Sequence, residues 1–65
     1  MKMAYFDDTD TLYIEFKGSV ITETKELNEN TYIDFDDHND IVAITIEHAS
    51  KRTDIKSLSV TGLAA

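Results

Sequence analysis

Apolar and polar residues alternate in five separate stretches of this chain, and alternation at every second position marks strands with one buried and one wetted face. The first stretch runs from Lys2 to Phe6 and the second from Thr11 to Phe16, where Leu12, Ile14 and Phe16 share one face and Tyr13 and Glu15 the other. The third, Val20 to Leu27, is Thr-rich and poor in large apolar groups, so it is expected at a sheet edge, its charges discouraging end-to-end pairing. Thr31 to Phe35 and Ile41 to His48 complete the set, with Val42, Ile44 and Ile46 facing the core and Ile41, Ala43, Thr45 and Glu47 facing away. A slip of one residue in the last strand would expose all three core aliphatics, so its register is strongly specified.

The separators between stretches have the chemistry of turns. Asp7-Asp8-Thr9-Asp10 and Asp36-Asp37-His38-Asn39-Asp40 carry short polar side chains that bond their own backbone and tolerate turn geometry, while Lys17-Gly18-Ser19 and Asn28-Glu29-Asn30 supply the other breaks. Tyr5 to Phe16 and Asp34 to Glu47 follow one plan, a strand, a turn opened by Phe-Asp-Asp and a second strand, so one hairpin design occurs twice. After Ala49 the period changes, and Ser50 to Leu58 predicts a short helix with Ser50 or Thr53 as N-cap and Ile55 and Leu58 toward the sheet. The expected fold is α+β, an antiparallel β-meander of two similar hairpins plus an edge strand, with one short C-terminal helix. Residues 1–58 form the single β-rich domain, and residues 59–65 a tail expected to fray. Leu12, Ile14, Phe16, Ile33, Phe35, Val42, Ile44 and Ile46 are the expected buried face.

Length sharpens this picture. A chain of 65 residues buries little core per residue, and with no cysteine it has neither disulfides nor thiolate metal sites to compensate, so self-association as a homodimer is expected. The outward parity places Tyr5, Tyr13, Tyr32, Ile41 and Ala43 beside Glu15 and Asp34, a Tyr-bearing face read first as cross-strand packing and second as a surface for that contact or for another protein. The formal net charge of -7 repels polyphosphate and disfavours direct nucleic-acid binding, with Lys51-Arg52 the one basic pair, whereas a basic protein partner is compatible with it. Neither a leader nor a long apolar run is seen, so no membrane role is expected and a soluble cytoplasmic protein is the default.

Candidate chemistry adds little. A calcium loop begun at Asp36 would put Ile41 where glycine is required, so turn chemistry accounts for Asp7, Asp8, Asp10, Asp36, Asp37 and Asp40. His38 lies in a predicted loop and His48 at the end of the last strand, where its neighbour Glu47 points to the opposite face, so the two cannot act together as acid and base. Gly18 and Gly62 are too isolated for a phosphate loop. No catalytic residue, metal site or cofactor is assigned, and enzymatic activity is not expected.

Several pieces in fixed order carry a resemblance. Phe6-Asp7, Asp10-Thr11-Leu12-Tyr13-Ile14, Ile21-Thr22-Glu23-Thr24-Lys25-Glu26, Ile33-Asp34-Phe35-Asp36, Ile41-Val42-Ala43-Ile44-Thr45-Ile46 and Ala49-Ser50-Lys51 resemble the small prokaryotic family catalogued as domain of unknown function 2283, over residues 1–52. Asn39 stands where that family often has glycine in the second turn, and Ala43 at a position often small; Asn tolerates left-handed geometry and Ala is small, so the fold is unaffected. The family carries no assigned catalytic residues. Some relatives adjoin small toxin-like genes, so the resemblance implies, by analogy alone, an acidic, antitoxin-like protein-binding module with a basic partner. The competing reading is an inhibitor that mimics nucleic acid, which would need its carboxylates in one continuous stripe, and a metal-dependent enzyme ranks third.

Overall fold

The computed structural model of the chain describes residues 1–57. Five antiparallel strands form one open sheet: β1 (Lys2–Phe6), β2 (Thr11–Glu15), β3 (Glu23–Asn28), β4 (Thr31–Phe35) and β5 (Ile41–Glu47), followed by helix α1 (Ala49–Arg52) and a 3-10 turn at Ile55–Ser57. The strand order is β1-β2-β5-β4-β3, so the β1–β2 and β4–β5 hairpins lie side by side with β3 at the far edge. The hairpins join through β2 and β5, where Leu12 pairs with Ile46 and Ile14 with Ile44. The molecule is a plate of 33 × 31 × 17 Å.

Register assigns every strand residue to a face, because residues directly opposite in an antiparallel pair project to the same side. One face, called the aliphatic face below, holds the rows Tyr5–Leu12–Ile46–Thr31 and Met3–Ile14–Ile44–Ile33–Lys25. The opposite, acidic face holds Tyr13–Thr45–Tyr32–Glu26 and Glu15–Ala43–Asp34–Thr24. A register shift beside Asp34 and Phe35 sets Ile41 opposite Phe35 and breaks the alternation at the start of β5.

Several boundaries differ from those the pattern predicts. β2 stops at Glu15, β5 at Glu47, and β3 spans Glu23–Asn28 because Val20 to Thr22 belong to the crossover from β2 to the far edge. The C-terminal helix starts at Ala49 after His48, which takes φ 54° at the N-cap position and makes no side-chain cap, while Thr53 is the C-cap. A left-handed residue cannot continue a strand, so β5 ends there. Leu58 and the tail at 59–65 lie outside the described residues.

Burial differs most from expectation. Of the eight residues expected to be buried, Leu12 and Val42 are closed off, at 2% and 1% exposure, whereas Ile14, Ile33, Phe35, Ile44 and Ile46 are half-buried and Phe16 is 45% exposed. The helix has one turn and sits at the sheet end nearest Thr31, where Arg52 Nη1 donates to Thr31 Oγ1 at 3.3 Å, so it reaches the end where Leu12 and Thr31 are buried and leaves the next rows open. Ala43 is closed on the acidic face because Glu15 and Asp34 rise on either side of its methyl group. Truncating Leu12 to Ala should therefore cost about 2–5 kcal/mol, as buried aliphatic deletions do, and Ile44→Ala roughly half as much because Ile44 is already half wet. Urea unfolding of the two variants checks the order; a larger loss at Ile44 would contradict the burial described.

Candidate interaction surfaces

Two aspartates fix the ends of the plate. Asp10, with φ 55° at the end of the first turn, accepts from Ser50 N at 3.0 Å and from Tyr5 Oη at 2.5 Å through Oδ1, and from Ser50 Oγ at 2.8 Å through Oδ2. Its backbone oxygen accepts from Ala49 N at 2.9 Å. Asp10 thus satisfies N–H groups at the start of α1 that His48 leaves without a cap, a helix cap supplied by a residue 40 positions away. The hydrogen bonds from Tyr5 and Ser50 hold its carboxyl below the ordinary aspartate range, and the Tyr5 phenol is raised by the same contact.

Asp36 does the equivalent work at the other end. Buried at 5% exposure, it accepts through Oδ1 from His38 N and Asp40 N at 2.9 and 3.0 Å, and its Oδ2 lies 2.8 Å from Lys17 Nζ. Lys17 also reaches Asp40 Oδ2 at 3.2 Å, so the crossover leaving β2 is pinned to the β4–β5 turn. Asn39, in the glycine position of that turn, takes φ 64°. The Lys17 ammonium and the turn amides hold the Asp36 carboxyl at about 2, against an ordinary 3.8, and Lys17 is raised by its two carboxylates.

Between these ends lie the two faces. Tyr13, Glu15, Tyr32, Asp34 and Ala43 are together on the acidic face, as their parity predicts. Tyr5 and Ile41 are not: the four-residue turn pairs Tyr5 with Leu12 on the aliphatic face, and the register shift puts Ile41 opposite Phe35. Burial raises the Tyr13 phenol, helped by Glu15 and Asp34, and the charge of Glu47 leads the raising of Tyr32. Thr24 Oγ1 donates to Asp34 Oδ1 at 2.6 Å across β3 and β4.

The aliphatic face was expected to be the covered one, yet it carries the larger open apolar surface. Met3 is 40% exposed, and with Phe16, Ile14, Ile33, Phe35 and Ile44 it makes a continuous half-wet patch, where Lys25 Nζ stands 5.4 Å from the Phe35 ring centroid. Of the strand carboxylates, Glu15, Glu26, Asp34 and Glu47 are on the acidic face and Glu23 alone is on the aliphatic one. Lys51, Arg52 and Lys56 line a shallow groove beside Tyr5, with Arg52 held by Asn28 Oδ1 at 2.9 Å. Among the described residues no group of three His, Asp or Glu side chains converges as a metal site requires, and no helix is long and apolar enough to cross a membrane.

Geometry defines the class as a small, single-layer antiparallel sheet domain with chemically distinct faces. The chain belongs to the family described as Protein of unknown function (DUF2283), whose model matches residues 2–50. No significant match to a curated protein or to a solved structure was found. The matched span takes in the five strands and Asp10, Lys17, Asp36 and Ser50, the residues that tie the sheet's two ends.

The pinned ends make two measurable differences. A carboxyl held low in the folded state stabilises above its unfolded value and loses that contribution as pH falls toward its folded value, so the Asp36 contribution is present near pH 4 and lost toward pH 2. The wild-type melting temperature should fall across that window, and Asp36→Asn should be less stable above it with a shallower fall inside it. Asp10→Ala should abolish hydrogen-exchange protection at Ser50 while amides of β5 and β2 keep theirs; equal loss throughout would show that Asp10 supports the whole sheet.

Proposed function

We propose that this domain is a protein-binding module that engages its partner through the aliphatic face of the sheet. The observation that carries the reading is the open row Met3–Ile14–Ile44–Ile33, flanked by Phe16 and Phe35, on a face with one strand carboxylate. An exposed apolar patch ringed by charge is the ordinary mark of a protein interface. The turns at the two ends of the plate carry Asp7 and Asp8, and Asp37 and Asp40, while Lys25 stands on the face itself and Lys17 meets Asp40; with a net charge of -7 overall, the partner it suits is a basic protein with an apolar contact at its centre. Such a partner fits the acidic, neutralising, antitoxin-like role that the family resemblance implies. The carboxylates are divided between turns and one face, an arrangement that gives the nucleic-acid mimic less support.

A photo-crosslinking residue tests the assignment of faces in host cells. Placed at position 16 on the aliphatic face, it should form an adduct with one basic protein, and placed at position 32 on the acidic face it should not. Phe16→Glu, at a residue 45% exposed, should leave the melting curve of the domain near wild type and abolish capture of that protein. Capture from position 32 alone would move the interface to the Tyr13 and Tyr32 face.

A further inference from the structure

β3 is a sheet edge with all six residues exposed, paired on one side only, so alternate N–H and C=O groups point to solvent. The strand reads Glu23-Thr24-Lys25-Glu26-Leu27-Asn28. Its charges discourage pairing with most strands, but against a second copy of itself the outcome depends on register. A two-fold axis perpendicular to the sheet keeps like faces together and puts one residue opposite its own copy. Centring that axis on Glu23, Lys25 or Glu26 sets that residue's charge directly against itself, which destabilises the pair. Centring it on Thr24 sets Glu23 opposite Lys25 of the other copy, and Lys25 opposite Glu23, on one face. Just outside the strand, Thr22, still bonded to β4 through Phe35 O at 2.8 Å, comes opposite Glu26 in the same register.

We propose that the chain forms a symmetric homodimer by antiparallel pairing of β3 with β3, with the two-fold at Thr24, giving one continuous ten-stranded sheet. Each interface then holds two Glu23–Lys25 pairs related by the axis. Within one chain Lys25 Nζ lies 3.8 Å from Glu23 Oε1 and both side chains are more than half exposed, so both can turn to the partner strand. The other edge, β1, has Lys2 as its one charge and offers no such selection. The dimer leaves the aliphatic face open in both copies and does not rest on the binding role proposed above.

The test reverses the charges one at a time and then together. Wild type should sediment as a dimer at micromolar to submillimolar concentration, and Lys25→Glu and Glu23→Lys should each weaken association by more than about tenfold while keeping the circular dichroism of a folded sheet. Mixed one to one, the two variants should form a heterodimer, because each Glu then meets a Lys. Thr24→Cys gives a second readout. Facing Cα atoms in antiparallel strands lie about 4.5–5.5 Å apart, within disulfide range, so mild oxidation should yield a covalent dimer that Glu29→Cys does not. A monomeric wild type, variants that associate as wild type does, or a mixture that stays monomeric would each overturn the proposal. So would a dimer lost on Phe16→Glu and unaffected by the charge reversals, since association would then use the aliphatic face.

Discussion

The pairing of β2 with β5 is the contact on which the rest of the domain depends. Each hairpin closes through a local turn, but a lone two-stranded hairpin is at best marginal in water. Setting Leu12 opposite Ile46 and Ile14 opposite Ile44 merges them into one sheet and creates the shared aliphatic surface. Phe16 N continues the pairing to Val42 O at 2.7 Å, and Glu47 N, at the other end of β5, bonds Asn30 O at 2.7 Å. β2 and β5 are thus the two strands that each border both hairpins, and the buried residues Leu12, Val42 and Ala43 lie in them.

Each end of that seam is held by a single aspartate, and the two do so by different means. Asp36 anchors an incoming cation, Lys17, from the crossover, which fixes the path to the far edge strand β3. Asp10 receives neutral donors, Ser50 and Tyr5, and so docks a helix too short to hold itself, since one turn satisfies few of its own backbone groups. That helix packs at the end of the sheet where Leu12 and Thr31 are buried, while Tyr5 and Ile46 of the same row and the residues of the next row stay partly open.

The hairpins, the edge position of β3 and the faces of β2, β4 and most of β5 were legible in the chain, because alternation over five or more residues leaves one reading of side-chain direction. Tyr5 was misplaced since its face depends on the number of residues in the turn from Asp7 to Asp10, which alternation within a strand does not encode. Ile41 was misplaced by a register shift that has no pattern of its own. The depth of burial was overestimated for a related reason: the pattern distinguishes the faces of a sheet but not whether anything covers them. Asp10 and Asp36 read as turn residues, and their partners Ser50 and Lys17 are 40 and 19 positions away, beyond any local signal.

The distribution of charge decides how an acidic chain can still make contacts. At -7 the whole molecule repels copies of itself and other acidic surfaces at long range. That repulsion is screened within about a Debye length, roughly 8 Å at physiological salt, so what matters at contact is the local array. Across the strands, four of the carboxylates lie on the acidic face and one, Glu23, on the aliphatic face, where it stands beside Lys25 at the β3 edge. The aliphatic face is therefore nearly free of carboxylates, and the β3 edge carries both signs within three residues, Glu23 and Lys25. Net charge acts on the approach of any charged molecule, while these two local arrays act only at contact.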